Sequence, residues 1–135
     1  MRIMAVDYGD ARTGLAFSDL SAMLVGEAFI IEEWNMESLA ERLSAEAEKR
    51  DVGRIVLGKP LNMDGSAGPR AEKSAALAEL LREKSGLEVV LWDERRTTVD
   101  AHRILSETGN RGKKRKAKVD AVAAALILEG YLASL

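Results

Sequence analysis

The segment IMAVDYGDARTGLAFSD, residues 3–19, joins two apolar runs through a short glycine-containing stretch of mixed charge. The first run, IMAV, ends directly on a carboxylate, Asp7, and the second, LAF, follows Arg12, Thr13 and Gly14. So short a connection between two apolar runs favours an antiparallel hairpin. A hairpin turn by itself requires neither the carboxylate nor the arginine, and a charge at the end of a buried strand is costly unless something pairs with it. The stretch therefore reads as one edge of a sheet that holds a ligand.

Working outward, residues 2–7, 13–18 and 24–31 read as three strands with short, hairpin-like connections. Residues 36–50 set Leu39, Leu43 and Ala47 on one helical stripe. RIVLG, 54–58, is a compact buried strand, and KPLNMDGSAGP, 59–69, is a loop punctuated by prolines and glycines. The next helix starts near Pro69, turns Ala71, Ala75, Ala78 and Leu81 inward, and stops near Gly86. LEVVLWD, 87–93, is a further strand; residues 97–109 form a helix opened by threonines. Residues 119–135, apolar almost all round, form a last helix packed on the sheet. Strands alternating with helices predict an α/β fold with a five-stranded mixed sheet, three antiparallel strands then two parallel, flanked by helices. No repeat or second domain is evident, so residues 1–135 read as one domain, long enough to bury one core.

Composition removes whole classes of chemistry. The chain has no cysteine and one histidine, His102, which excludes disulfides, thiolate catalysis and a histidine-rich metal centre. Aromatic residues are only 4% of the chain, which argues against an aromatic platform for nucleic-acid bases. The N-terminus lacks the pattern of a secretory leader and no apolar run is long enough to span a bilayer, so a cytoplasmic protein without a membrane partner is expected. The net charge of −2 conceals a segregated block: RGKKRKAK, 111–118, holds six of the twenty basic residues and no acid, leaving fourteen basic against twenty-two acidic residues elsewhere, or −8. This block reads as a solvated loop in which Lys113, Lys114, Arg115 and Lys116 clamp a polyanion, with affinity that falls as salt rises and without base readout.

Acidic residues fall where burial makes them unwelcome. Asp7 ends the first strand, Asp93 and Glu94 end the last, and Asp120 lies near the start of the apolar C-terminal helix. Ligand sites of α/β sheets gather beyond the carboxyl ends of strands. If the first and last strands are parallel neighbours, Asp7 and Glu94 emerge at one edge, and a helix crossing it brings Asp120 beside them. Such a cluster persists when a cation binds it, and oxygen donors without His or Cys select Mg²⁺ or Mn²⁺. Two such ions about 4 Å apart can activate a water, hold a scissile phosphate and stabilise the leaving oxygen. Each acid alone also admits a plainer reading: Asp120 as favourable charge at a helix N-terminus, Asp93 as a turn residue.

Around them lie candidate substrate contacts. Gly9 and Gly14 allow close backbone approach and positive φ values, or simply make the turn. Arg12 can grip a phosphate from the loop, or pair with Asp10 or Asp19. Lys59, Asn62 and Gly65 follow the fourth strand and can track a phosphate backbone, though a turn explains NMDG equally. Arg95 and Arg96 follow Glu94, Thr98 reads as a helix cap, and His102 reads as structural.

Four stretches, VDYGDARTGLAFSD, VLGKPLNMDGSAGPRA, WDERRTT and KVDAVAAALIL, together resemble the signature blocks of the YqgF family, also called RuvX or Holliday-junction resolvase-like proteins, in the family's order from residue 6 to 128. The resemblance implies a ribonuclease-H-like fold and an acidic site of Asp7, Glu94 and Asp120. It also implies a nuclease that trims the 5′ end of small-subunit ribosomal RNA precursor in the bacterial cytoplasm, with action on four-way DNA junctions as the alternative. A non-catalytic ribosome-assembly or nucleic-acid-binding module is a third reading. An actin-like or sugar-kinase ATPase needs a second lobe that 135 residues cannot supply. The expected partner is nucleic acid, structured RNA or a pre-ribosomal particle, bound by a monomer or a homodimer.

Overall fold

The structure, a computed structural model, describes residues 1–59, 68–93 and 112–135, with residues 112–120 described by backbone alone. Five strands, β1 (Arg2–Asp7), β2 (Arg12–Ser18), β3 (Val25–Glu32), β4 (Val52–Lys59) and β5 (Glu88–Asp93), are joined with helices α1 (Met36–Lys49), α2 (Pro69–Ser85) and α3 (Gly112–Ala133). The helix expected over 97–109 lies outside the described residues, as do Asn62, Gly65, Glu94, Arg95, Arg96, Thr98 and His102.

The strands form one sheet in the order β3-β2-β1-β4-β5. β1 pairs antiparallel with β2, and β2 with β3; β1 pairs parallel with β4, and β4 with β5. The expected pattern of three antiparallel strands followed by two parallel ones is what the sheet shows. One expectation is corrected: β1 and β5 are not neighbours, because β4 lies between them. The helical connections do not let consecutive apolar runs reveal which strand takes the centre.

β1 is apolar on both faces because helices cover both. Met4 and Val6 face one core with Leu39 and Leu43 of α1 and Leu77 and Leu81 of α2. Ile3 and Ala5 face the other with Ala124, Ile127 and Leu128 of α3. Leu39, Leu43, Leu77 and Leu81 are fully buried, and cutting any one to alanine would cost about 2–5 kcal/mol.

Local signals set the helix ends. Asn35 caps α1, its Oδ1 accepting from the Ser38 backbone N at 2.9 Å. Pro69 opens α2, and Gly86 closes it in the left-handed region at φ 70°. The start of α3 corrects a second expectation. The basic block is not a loop: residues 112–118 are helical, and Asp120 stands eight residues beyond Gly112 rather than near the helix start. Lysine, arginine and alanine are good helix formers, and nothing between Lys113 and Val119 interrupts them. Among the described residues no helix is long and apolar enough to cross a membrane.

Candidate active site

The carboxyl ends of the parallel strands β1, β4 and β5 share one edge of the sheet. Asp7 is the last residue of β1. Side chains alternate along a strand, so Asp7 shares the face of Ile3 and Ala5, which α3 covers, and not that of Met4 and Val6. Its antiparallel partner across the ladder is Gly14 of β2. On the other side, β1 and β4 run in register to Val6↔Leu57, so the next residue level with Asp7 is Gly58. The carboxylate is thus flanked on both neighbouring strands by residues without side chains, both of them buried.

α3 runs from this edge toward the opposite one. Near its C-terminus, Glu129, Leu132, Ala133 and Leu135 line a groove with Ala22–Val25, the β2–β3 connection at the far end of the sheet. The Tyr131 hydroxyl accepts from Arg54 Nη1 at 2.8 Å, near the start of β4. The N-terminal half of the helix therefore lies toward Asp7. Position 120 precedes Ala124, on the sheet-facing stripe with Ile127 and Leu128, by one helical turn. Lys113, Lys114, Arg115 and Lys116 occupy the opening turns of the same helix. Among the described residues no group of three acidic or histidine side chains is gathered closely enough to hold a metal; the second expected acid, Glu94, is outside them.

Asp93 stands differently. It ends β5 in register with Lys59, the last residue of β4, and by alternation shares the face of Leu91, across the sheet from Asp7. Lys59 is accordingly a strand residue rather than part of the loop that follows.

The loop between β1 and β2 is tight. A Cβ on Gly9 would stand 2.2 Å from the Arg12 carbonyl oxygen, so the position demands glycine for space. The expected positive φ is not the reason: neither Gly9 nor Gly14 has one, and Gly86 is the positive-φ glycine among the described residues. Gly14 lies within β2. Arg12 is the first residue of β2, on the face of Gly14, and pairs with neither Asp10 nor Asp19. Its Nε lies 3.7 Å from Glu32 Oε1 on β3, and its Nη1 is buried without a hydrogen-bond partner. Asp10 pairs with Lys73 at 3.2 Å. Asp19 accepts from the Ser21 hydroxyl and from the backbone N–H groups of Met23 and Leu24, which hold its carboxyl below the usual range.

Sequence reading passed over Gly58. The available signal was a glycine closing the apolar run RIVLG, but only the β1–β4 register sets it beside Asp7.

A family model described as "RuvX: Holliday junction resolvase" matches residues 1–134. A relative from Halothermothrix orenii bearing the name "Putative pre-16S rRNA nuclease" is 46% identical over 133 residues, covering 98% of this chain and 94% of the relative. Among solved structures, Thermus thermophilus RuvC in complex with Holliday junction substrate superposes with a TM-score of 0.62 at 10% identity, covering 99% of this chain and 97% of that one. Fowlpox virus resolvase in complex with Holliday junction DNA gives a TM-score of 0.62 at 13% identity, covering 99% and 98%. At these identities the likeness is one of fold, and the fold is ribonuclease-H-like.

Proposed function

This chain belongs to the RuvX family, and from that premise we propose that it is a metal-dependent nuclease that hydrolyses phosphodiester bonds and processes the 5′ end of pre-16S ribosomal RNA. The observation that carries the reading is the setting of Asp7. A carboxylate stands at the carboxyl edge of parallel strands, between Gly14 and Gly58, on the face crossed by the helix that contains Asp120.

Asp7, Glu94 and Asp120 offer oxygen donors only, which suits Mg²⁺ or Mn²⁺, and the glycines beside Asp7 put no side chain of β2 or β4 against its carboxylate. Glu94 is preferred over Asp93 because Asp93 falls on the other face from Asp7. One or two such ions supply an activated water and neutralise charge at the scissile phosphate. The chain's own residues do the rest. Arg12 sits on the Asp7 face at the head of β2 with its side chain 23% exposed, and its guanidinium can take a phosphate oxygen. Gly9 keeps the loop backbone low enough for the polyanion to approach. Asn62, Arg95 and Arg96 are proposed as further phosphate contacts; Lys59, which lies level with Asp93 and on its face, would reach the polyanion only from the edge of the sheet. Lys113, Lys114, Arg115 and Lys116 add positive charge at the N-terminal end of α3, where the helix dipole has the same sign. The reading takes residues 1–135 as one nuclease domain acting in the cytoplasm.

A second substrate, the four-way DNA junction, draws on the family description and on the fold shared with resolvases. Junction resolution needs paired cuts and hence a dimer. The test incubates purified protein and Asp7→Asn with Mn²⁺ and either labelled precursor RNA or a four-way junction. RNA cleavage that falls at least about a hundredfold in the variant is expected. Junction cutting alone would move the assignment to a resolvase. Binding without cleavage of either would replace the nuclease by a binding module.

A further inference from the structure

One aromatic side chain stands outside both cores. Phe17 stacks on Phe29, and Trp92 meets Tyr131 edge-on, but Trp34 is 80% exposed. An indole in water leaves a large apolar face unused. Its exposure does not come from a loose tether. Trp34 belongs to the short link between β3 and α1, and the link is pinned on both sides. The Glu33 backbone N donates to the Ala11 carbonyl at 2.9 Å, and Asn35 is the α1 cap. The Glu33 carboxylate accepts from the backbone N of Trp34 at 3.1 Å and of Asn35 at 3.2 Å, while Arg42 Nη1 donates to the Glu32 carbonyl at 2.8 Å. The backbone that carries the indole is held in place, and the ring itself is shown to solvent.

What it borders is an open depression of about 600 Å³, walled by Gly9, Arg12, Glu32 and Arg70 together with Trp34. Its carboxylates are already matched, Glu32 by Arg12 and Asp10 by Lys73. Arg70, in the first turn of α2, is exposed and makes no ion pair among the described residues. Arg12 keeps a buried Nη1 without a partner. An exposed indole that lines one depression with two arginines is the chemistry of a nucleotide seat, a π-face for the base and fork donors for the phosphates. The wall formed by Gly9 and Arg12 is the loop that leaves Asp7, so the depression adjoins the candidate cleavage edge. The scarcity of aromatics argues against a many-ringed platform, but one exposed indole suffices for one base.

We propose that Trp34 stacks an unpaired nucleobase while Arg12 and Arg70 take the phosphates flanking it, seating a single-stranded stretch beside Asp7. The inference rests on the nuclease reading and adds to it a preference for single-stranded nucleic acid next to the cleaved bond. The test measures binding in EDTA, where no cleavage occurs, of the full chain and of Trp34→Ala, Trp34→Phe and Arg70→Gln. The probes are a duplex with a single-stranded 5′ tail and the same duplex blunt-ended, each as RNA and as DNA. Trp34→Ala is expected to weaken tailed probes about tenfold and to leave blunt ones unchanged, because stacking on an aromatic ring contributes on that scale. Trp34→Phe should keep most of the affinity. Tryptophan emission of the unmodified protein should be quenched by the tail, and that quenching should vanish in Trp34→Ala. Quenching by RNA alone or by both sugars supports the seat and tells which it accepts. If the protein binds tailed probes but Trp34→Ala neither weakens them nor alters the quenching, the seat is wrong and the nuclease stands. If it binds no nucleic acid either in EDTA or with Ca²⁺ supplied to neutralise the acidic site, both readings fall.

Discussion

Asp7 and Gly14 face each other across the β1–β2 ladder, on the side of the sheet that α3 covers. Directly opposed residues in antiparallel strands have side chains about 4.5–5.5 Å apart, so any side chain at position 14 would stand against the carboxylate. Gly14→Val tests whether that space is used. Position 14 is buried, so a valine side chain must displace its neighbours, and the melting temperature should fall by about 5 °C or more although the chain still folds. Metal-dependent cleavage should fall at least about tenfold, since small displacements of reacting groups are costly. Steady-state cleavage and a thermal melt of the same preparation check both halves, and full activity in a folded variant would show the space to be idle.

The basic residues at the head of α3 should act on affinity and not on folding. Replacing Lys113, Lys114, Arg115 and Lys116 together by glutamine keeps a comparable helix propensity. Helical circular dichroism should therefore persist. The slope of log affinity against log salt should become shallower by up to about 3, one counterion-release term per lost phosphate contact. Fluorescence anisotropy across a salt series reads this, and an unchanged slope would place the polyanion elsewhere.

Glu27 on the edge strand β3 pairs with Arg50 at 3.1 Å, and Arg50 also bonds Glu46 and lies over the rings of Phe17 and Phe29 at 4.5 and 5.2 Å. The hydrogen bond from Arg50 holds the Glu27 carboxyl below the usual glutamate range. A folded-state value lower than the unfolded one means that the stabilisation is present above the usual value of about 4.3 and is lost as pH falls through the lowered value. Glu27→Gln should thus melt at lower temperature than the unmodified protein at pH 7, with the gap closing in strong acid. Asp19 titrates in the same direction in both proteins, so the difference between the two melting curves isolates Glu27. A gap that stays constant with pH would mean that the pair contributes through packing alone.

The elements were largely legible in the chain. Apolar runs and turn residues marked all five strands, and Pro69 and Gly86 stand where α2 begins and ends. Asp7 was legible too, as a charge where a buried strand should have ended apolar. The head of α3 was misread because a dense basic run is as compatible with a solvated loop as with a helix. Arg12 was placed in the loop, although the ladder to Glu32 makes it a strand residue. Trp34 was invisible to composition, which counts rings but not which of them remain exposed.

The sequence by itself determined the period of each element, the mixed character of the sheet and the oxygen-only chemistry of the acids, because these depend on neighbours a few residues away. Tertiary structure alone decided that β4 lies between β1 and β5, that Gly14 and Gly58 flank Asp7, and that Asp93 looks to the other face. Those facts come from strand order and register, which are set by side chains distant in the chain packing into two cores at once. A slip of one residue would have turned every one of them over.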